Sequence, residues 1–210
     1  MSLDQRRERE KQDRRDSILD AAEHIFFARG FEKSSMDEIA RTAQLSRALL
    51  YVYFKDKTAI MRGLMLRAGT TLRDRFAAAI EQTDQGAEQI GNIGRAYYRF
   101  SVEEPNYFDV LTQASTFEHL ADEDEQSKAL QECGAEAMSM MVNALIKGVA
   151  DGTLSRERVA DPLMTAYFLR GAMHGVIMQC SKSADVDPNR PDLETLVDYA
   201  LRMLTHSMRA

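Results

Sequence analysis

Between residues 46 and 57 the sequence places Ser46-Arg47-Ala48, Tyr51-Val52-Tyr53 and Lys57, with Ser35 one short element earlier. Together these side chains suit the base edges and backbone of double-stranded DNA. The fork of Arg47 can pair with guanine O6 and N7, and Ala48 is small enough to approach closely and touch a thymine methyl. Ser46, Arg47, Ala48, Tyr51 and Val52 share the side of a short helix turned away from Leu50 and Phe54. Ser35, Tyr51, Tyr53 and Lys57 carry donors suited to phosphate oxygens, two of them near helix starts where free amides also favour anions.

Positioning them requires two short helices held by a tight turn. Ahead of them, Ile18, Ala21, Ala22, Ile25 and Phe26 recur at i, i+3, i+4, i+7 and i+8, the single apolar stripe of a helix. Gly30 closes it, because that cap needs positive φ. Ser35-Met36-Asp37-Glu38 is a capping box that opens a short helix with Met36, Ile39, Ala40 and Ala43 inward. Gln44-Leu45 leaves only a tight turn before Ser46, a second N-cap, opens the stretch to Phe54; the pair reads as a helix-turn-helix. Lys57 then starts a long helix with the stripe Ile60, Leu64, Ala68, Leu72, Phe76 and Ile80. Further helices are expected near 87–103, 105–117, 125–151, 161–183 and 191–208. Pro105, Pro162 and Pro191 fit first turns, Gly152 fits a stop, and 122–126 reads as a loop or a helix start. Valine is sparse, period-two alternation is absent and no proline precedes Pro105, so the expected fold is all-α.

The 210 residues are 44% hydrophobic and 29% charged, which suits folded domains. The net charge of −6 by itself opposes nucleic acid, yet residues 1–57 hold 12 basic against 11 acidic side chains, and 58–210 hold 15 against 22. Local placement decides phosphate binding, so the overall acidity counts little. Residues 1–12 are charged enough for a mobile arm. Arg6, Arg7, Arg9, Lys11, Arg14 and Arg15 offer further DNA contacts, weakened by the interleaved Glu8, Glu10 and Asp13. The dense charge of the first 19 residues and a longest apolar run of seven, Ala48–Phe54, fit neither a secretory leader nor a membrane span. A soluble cytoplasmic protein is expected. Cys133 and Cys180 have no short-spaced partner and read as core residues in a reducing compartment, without a disulfide or zinc.

Residues about 15–62 resemble the DNA-binding domain of the TetR family of transcriptional regulators. The resemblance rests on Ala21-Ala22, Phe26, Gly30-Phe31, Ser35 through Ala40, Ala43, Leu45-Ser46, Leu50-Tyr51, Tyr53-Phe54 and Lys57. The run Gly148–Ala166 is similar to the family's seventh-to-eighth helix junction. Gln44 stands where a turn glycine is usual, Ala48 where glycine is common, and Leu49 where a hydroxyl is frequent. The resemblance implies a homodimer on a palindromic operator, with the third helix in the major groove. It also implies that a divergent helical domain binds a small molecule and carries the dimer interface. Residues 1–57 would then be the DNA-binding head and 58–210 the ligand-binding and dimerisation domain, with the long helix from Lys57 as the lever between them.

In that second part, methionines and aromatics exceed what a narrow bundle needs. Met65, Tyr97, Phe100, Phe108, Met138, Met141 and Tyr167 suit a cavity for a mainly hydrophobic ligand, to which His174 could add a hydrogen bond. The Glu118-His119 region lacks a second positioned ligand, so no metal is expected. There is no phosphate loop, nucleophile elbow or HExxH motif, and neither an enzyme nor a bound cofactor is expected.

The last helix carries the stripe Leu193, Leu196, Val197, Ala200, Leu201, Leu204 and Met208, and Gly171 and Gly175 share a face of the helix before it. These point to an isologous four-helix dimer interface over residues about 161–208. The leading expectation is a ligand-responsive repressor. The rival is a helical small-molecule or protein-binding module whose head has lost DNA affinity.

Overall fold

Capping residues and glycines set the helix boundaries of the chain, whose computed structural model describes residues 2–112, 125–181 and 191–210, apart from the side chains of Cys180 and Ser181. Helix α1 spans Leu3–Arg29 and ends at Gly30, φ 83°. Helix α2, Met36–Thr42, opens on the Ser35 and Glu38 capping box, and α3, Arg47–Tyr53, opens on Ser46, whose hydroxyl accepts from the Leu49 amide at 3.2 Å. Between them Gln44 holds φ 56°, the left-handed conformation that a glycine would adopt without strain. Then come α4, Lys57–Ile80, α5, Gly86–Glu103, and α6, Pro105–Thr112. Helices α7, Glu125–Ala150, α8, Pro162–Ser181, and α9, Leu193–Met208, complete the described elements, all helical. No helix among the described residues is long and apolar enough to cross a membrane.

Three expectations need correction. Residues 3–12 are not a mobile arm but the first turns of α1. Ser2 and Gln5 form a reciprocal capping box, and Arg6 meets Glu10 at 2.9 Å one turn away, so charge of alternating sign supports the helix instead of dissolving it. Pro191 precedes the N-cap Asp192 instead of occupying the first turn; the Asp192 carboxylate accepts from the Thr195 amide at 3.0 Å. Part of the stripe on α9 faces its own subunit: Val197, Leu201 and Met208 are buried, and a Cβ on Gly94 of α5 would stand 2.4 Å from Leu201 Cδ2, while Leu193, Leu196, Ala200 and Leu204 are half-buried. Residues 113–117, Glu118-His119 and 122–124 lie outside the described residues. Cys133 is buried.

The chain divides into two compact units. The first holds residues up to Ala68 and those described within 109–130. Its core joins Ile18, Ala22 and Phe26 of α1 to Ile39, Leu50, Phe54, Ile60 and Leu64, all nearly inaccessible. Arg67 of α4 gathers Asp16, Asp20 and Glu23 from one face of α1 at 3.2, 2.7 and 3.3 Å. The second unit holds 69–108 and 131–210, around Phe76, Ile90, Ile93, Leu145, Leu154, Ala166 and Leu169. There α5 meets α7 backbone to backbone, since a Cβ on Gly86 would come 2.0 Å from the Gly148 nitrogen. The Gly86 and Ala87 amides, unpaired within their own helix, donate to Asp151 at 2.8 Å and Thr153 at 3.1 Å. Helix α4 belongs to both units, passing from one to the other after Ala68.

Candidate nucleic-acid interface

Leu50 and Phe54 are one turn apart and sink into the head core, which turns the opposite side of α3 to solvent. Ser46, Arg47, Ala48, Tyr51 and Val52 are exposed there, Val52 at 76%. A short helix with a rigid inner face and a small, polar and cationic outer face can enter a major groove. The Arg47 guanidinium lies 5.6 Å from the Tyr51 ring centre and 3.2 Å from the Asp37 carboxylate on α2. The Tyr51 hydroxyl, and after it the Asp37 charge, push the Arg47 pKa above the usual arginine range.

The four side chains expected on phosphates are placed differently from one another. Tyr51 is exposed beside Arg47, and Tyr53 is half-buried at the end of α3. Ser35 is exposed, but its hydroxyl accepts from the Glu38 amide at 3.3 Å and donates to the Glu38 carboxylate at 3.0 Å. That pairing holds the Glu38 carboxyl below its ordinary range. Lys57 is engaged within the head: its ammonium donates to the carbonyls of Phe31 at 2.6 Å, Ser34 at 3.0 Å and Glu32 at 3.4 Å, over the Phe31 ring. An ammonium has three protons, and all three have acceptors within the head.

Sequence reasoning missed two positioning residues. Asp37 was read only as part of a helix start, although it stands opposite Arg47. Arg15 was read as arm charge, but its guanidinium lies 4.6 Å from the Phe54 ring centre and donates to the Tyr53 carbonyl at 3.3 Å. Its position one turn before Ile18 on the buried side of α1 was the available signal.

The eight ligand-domain residues separate into groups. Tyr97, Phe108 and His174 meet: the Tyr97 hydroxyl is 2.8 Å from His174 Nδ1, and the Phe108 ring is 5.6 Å from Tyr97 and 5.9 Å from His174. Burial pushes the Tyr97 phenol up to about 12, with Arg170 pulling weakly the other way, so it keeps its proton near neutral pH. Met138 and Met141 pack in the core that Tyr97 also touches, and Phe100 is fully buried near Arg75. Two placements are corrections. Met65 belongs to the head core, in one cluster with residues of α1, α2 and α3. Tyr167 is 51% exposed under the Arg170 guanidinium, on the outer face of α8 with Met164 and Phe168.

Residues 18–64 match the family model described as bacterial regulatory proteins, tetR family, and residues 90–204 match the tetracyclin repressor-like C-terminal domain. The chain is similar to the HTH-type transcriptional regulator TtgR of Pseudomonas putida, 26% identical over 207 residues and 95% of each chain. Its fold matches that of a TetR/AcrR-family transcriptional regulator from Thermobifida fusca, with TM-score 0.71, 22% identity, and 94% and 100% of the two chains covered. It also matches the regulator FadR from Bacillus subtilis, solved in complex with stearoyl-CoA, at TM-score 0.67 and 18% identity, over 92% and 98%. With family models spanning both head and second domain, the chain belongs to the tetR family of bacterial regulatory proteins: a DNA-binding transcriptional regulator with a helix-turn-helix head followed by a helical ligand-binding and dimerisation domain.

Proposed function

We propose that this regulator is a cytoplasmic repressor, acting by binding and not by catalysis, that occupies a palindromic operator as a homodimer and is released by a small, mainly hydrophobic molecule. The observation that carries the reading is the outward face of α3, where Arg47, Ala48, Tyr51 and Val52 stand over the anchors Leu50 and Phe54. Arg47 reads a base, Ala48 and Val52 meet apolar base edges, and Ser46, Tyr51 and Tyr53 align the helix on the backbone.

Two heads reading successive major grooves must stand about 34 to 36 Å apart, which makes the dimer part of the recognition. The outer face of α8 supports its location: Leu163, Met164, Tyr167 and Phe168 are all more than half exposed, and the space beyond Gly171 and Gly175 is open. Tyr199 and Met203 continue the apolar surface on α9. Residues about 161–208 thus remain the proposed interface, through this face and not through the buried Val197, Leu201 and Met208.

The ligand reading rests on Tyr97, Phe108 and His174, backed by Phe100, Met138 and Met141. Rings and thioethers supply apolar contact, and the Tyr97–His174 pair supplies one polar anchor. The stearoyl-CoA bound to Bacillus subtilis FadR agrees with an apolar ligand on this fold. A ligand acts only through a difference in affinity between DNA-competent and released dimers, and α4 is the unbroken element shared by both units.

Gel retardation with DNA from beside the protein's own gene tests the reading. Wild type should retard that fragment in preference to random duplex, Arg47→Ala should lose the preference, and a panel of hydrophobic compounds should contain one that releases wild type. Equal retardation of both DNAs by wild type would overturn operator recognition. Release by the same compound at unchanged concentration from Tyr97→Phe and Phe108→Ala variants would overturn the ligand site.

A further inference from the structure

We infer that the first turns of α1 are a second DNA-contacting element: a rigid helical arm whose Arg7, Lys11 and Arg14 engage the phosphates of duplex flanking the segment read by α3. The inference rests on the DNA-binding reading above.

Arg7, Lys11, Arg14, Ile18, Ala22 and Ile25 succeed one another by steps of four, three, four, four and three, a single ridge along an α-helix. From Ile18 onward this ridge is buried in the head; from Arg14 back it is exposed. The side of α1 that faces the head therefore continues past the core as cations. Intervening acids cancel these charges fully in sequence but only in part in projection. Glu8, Asp16 and Arg9 lie on other faces, while Glu10 and Asp13 flank the ridge on the side of Arg6.

Two further observations orient the ridge toward DNA. Arg7, Lys11 and Arg14 line one open groove of about 400 Å³ together with Glu10, Asp13 and Tyr53, the last residue of the reading helix. Of the two acids in the groove, Glu10 is engaged by Arg6 at 2.9 Å; Lys11 is only loosely engaged, with Glu8 at 3.8 Å, so three cations face two carboxylates there. Arg15 fastens the arm to α3 through the Tyr53 carbonyl and the Phe54 ring. The basic ridge is thus continuous with the proposed interface and held in register with it. From Arg7 to Arg14 the helix rises about 10 Å, on the order of three base-pair rises along the duplex axis.

The test measures binding to a mixed-sequence duplex and to DNA from beside the gene as a function of salt. The variants are Arg7→Gln, Arg14→Gln, their double, and Arg9→Gln from the far side of the same helix. Glutamine keeps helix propensity, and circular dichroism checks that α1 stays folded. Arg7→Gln and Arg14→Gln should each reduce the salt slope by about one unit, and the double by about two, on both DNAs alike. Arg9→Gln should leave the slope unchanged, and a hydroxyl-radical footprint should shorten at its flanks in the double variant only. An unchanged slope in the double variant, or an equal loss in Arg9→Gln, overturns the arm while leaving the reading head intact. Failure of wild type to bind either DNA would overturn the underlying DNA-binding reading together with the arm.

Discussion

Arg47 and Asp37 face each other across the helix-turn-helix at 3.2 Å, so the side chain best suited to read a base is held by an acid of the preceding helix. On the proposed reading, DNA would have to take Arg47 from Asp37, and a sequence without a matching acceptor would return it. Replacing Asp37 with Asn removes that competitor and a negative charge beside Arg47. Affinity for random duplex should rise about two- to fivefold, the scale of an exposed ion pair, while operator preference narrows. Fluorescence anisotropy on both DNAs checks it, and unchanged affinities would show that the pair does not compete with DNA.

Lys57 fastens the start of α4 to the loop after α1. Lys57→Met should therefore lower the stability of the head by about 1.5 kcal/mol, the scale of hydrogen bonds from a charged donor. For a chain of this size that is about 3 to 6 °C in melting temperature. The salt slope of DNA binding should stay as in wild type. A slope reduced by one unit without loss of stability would return Lys57 to the phosphate backbone.

On the dimer, Tyr167→Glu with Phe168→Glu should yield folded monomers at micromolar concentration, because two charges would be buried against a partner's apolar face. Leu201→Glu should instead damage the subunit, since Leu201 packs on α5 at Gly94. Sedimentation paired with circular dichroism separates the two outcomes. A fully dimeric Tyr167→Glu/Phe168→Glu variant would move the interface away from α8.

Gly86→Ala should destabilise the second unit by about 3 kcal/mol or more, because its methyl would meet backbone and no flexible side chain can yield. Thermal unfolding measures it. A loss under 1 kcal/mol would mean that α5 and α7 can separate freely.

Asp151 links stability to pH at the same place. The Thr153 hydroxyl, then the Gly86 and Thr153 amides, hold its carboxyl below the ordinary range. A carboxyl depressed in the folded state stabilises fully above its unfolded value, near 3.8, and loses that contribution as pH falls through the folded value. The stability difference between wild type and Asp151→Asn should thus be constant from about pH 5 to 7 and shrink on further acidification. A difference independent of pH down to about 2 would remove the ionic contribution.

The head was legible because its signals are local. Ser35 with Glu38, Ser46 and Gly30 each satisfy or shape a helix end by themselves, and Gln44 carries the strain expected of a side chain at a glycine position. Surfaces that depend on distant neighbours were not legible. The α9 stripe announced an apolar face but not that its Leu201 packs on α5 of the same subunit. Met65 and Tyr167 announced apolar content but not its address, which depends on the phase of α4 against α1 and of α8 against its own core. Lys57 carried a charge whose acceptors are carbonyls, and a sequence does not display where carbonyls point. The charge at the start of α1 read as solvated until the helix sorted it by face.

That helix also bears on the heat of binding. A disordered basic tail must give up chain entropy when DNA arrives, and its ordering appears as gained helix signal and a large heat-capacity change. In α1 the order is already present from Leu3 onward, capped by Ser2 and clamped by Arg15. In the proposed complex its cations would meet DNA at a spacing fixed beforehand, so the flanking contacts would behave as a ruler of set length rather than as a searching tether.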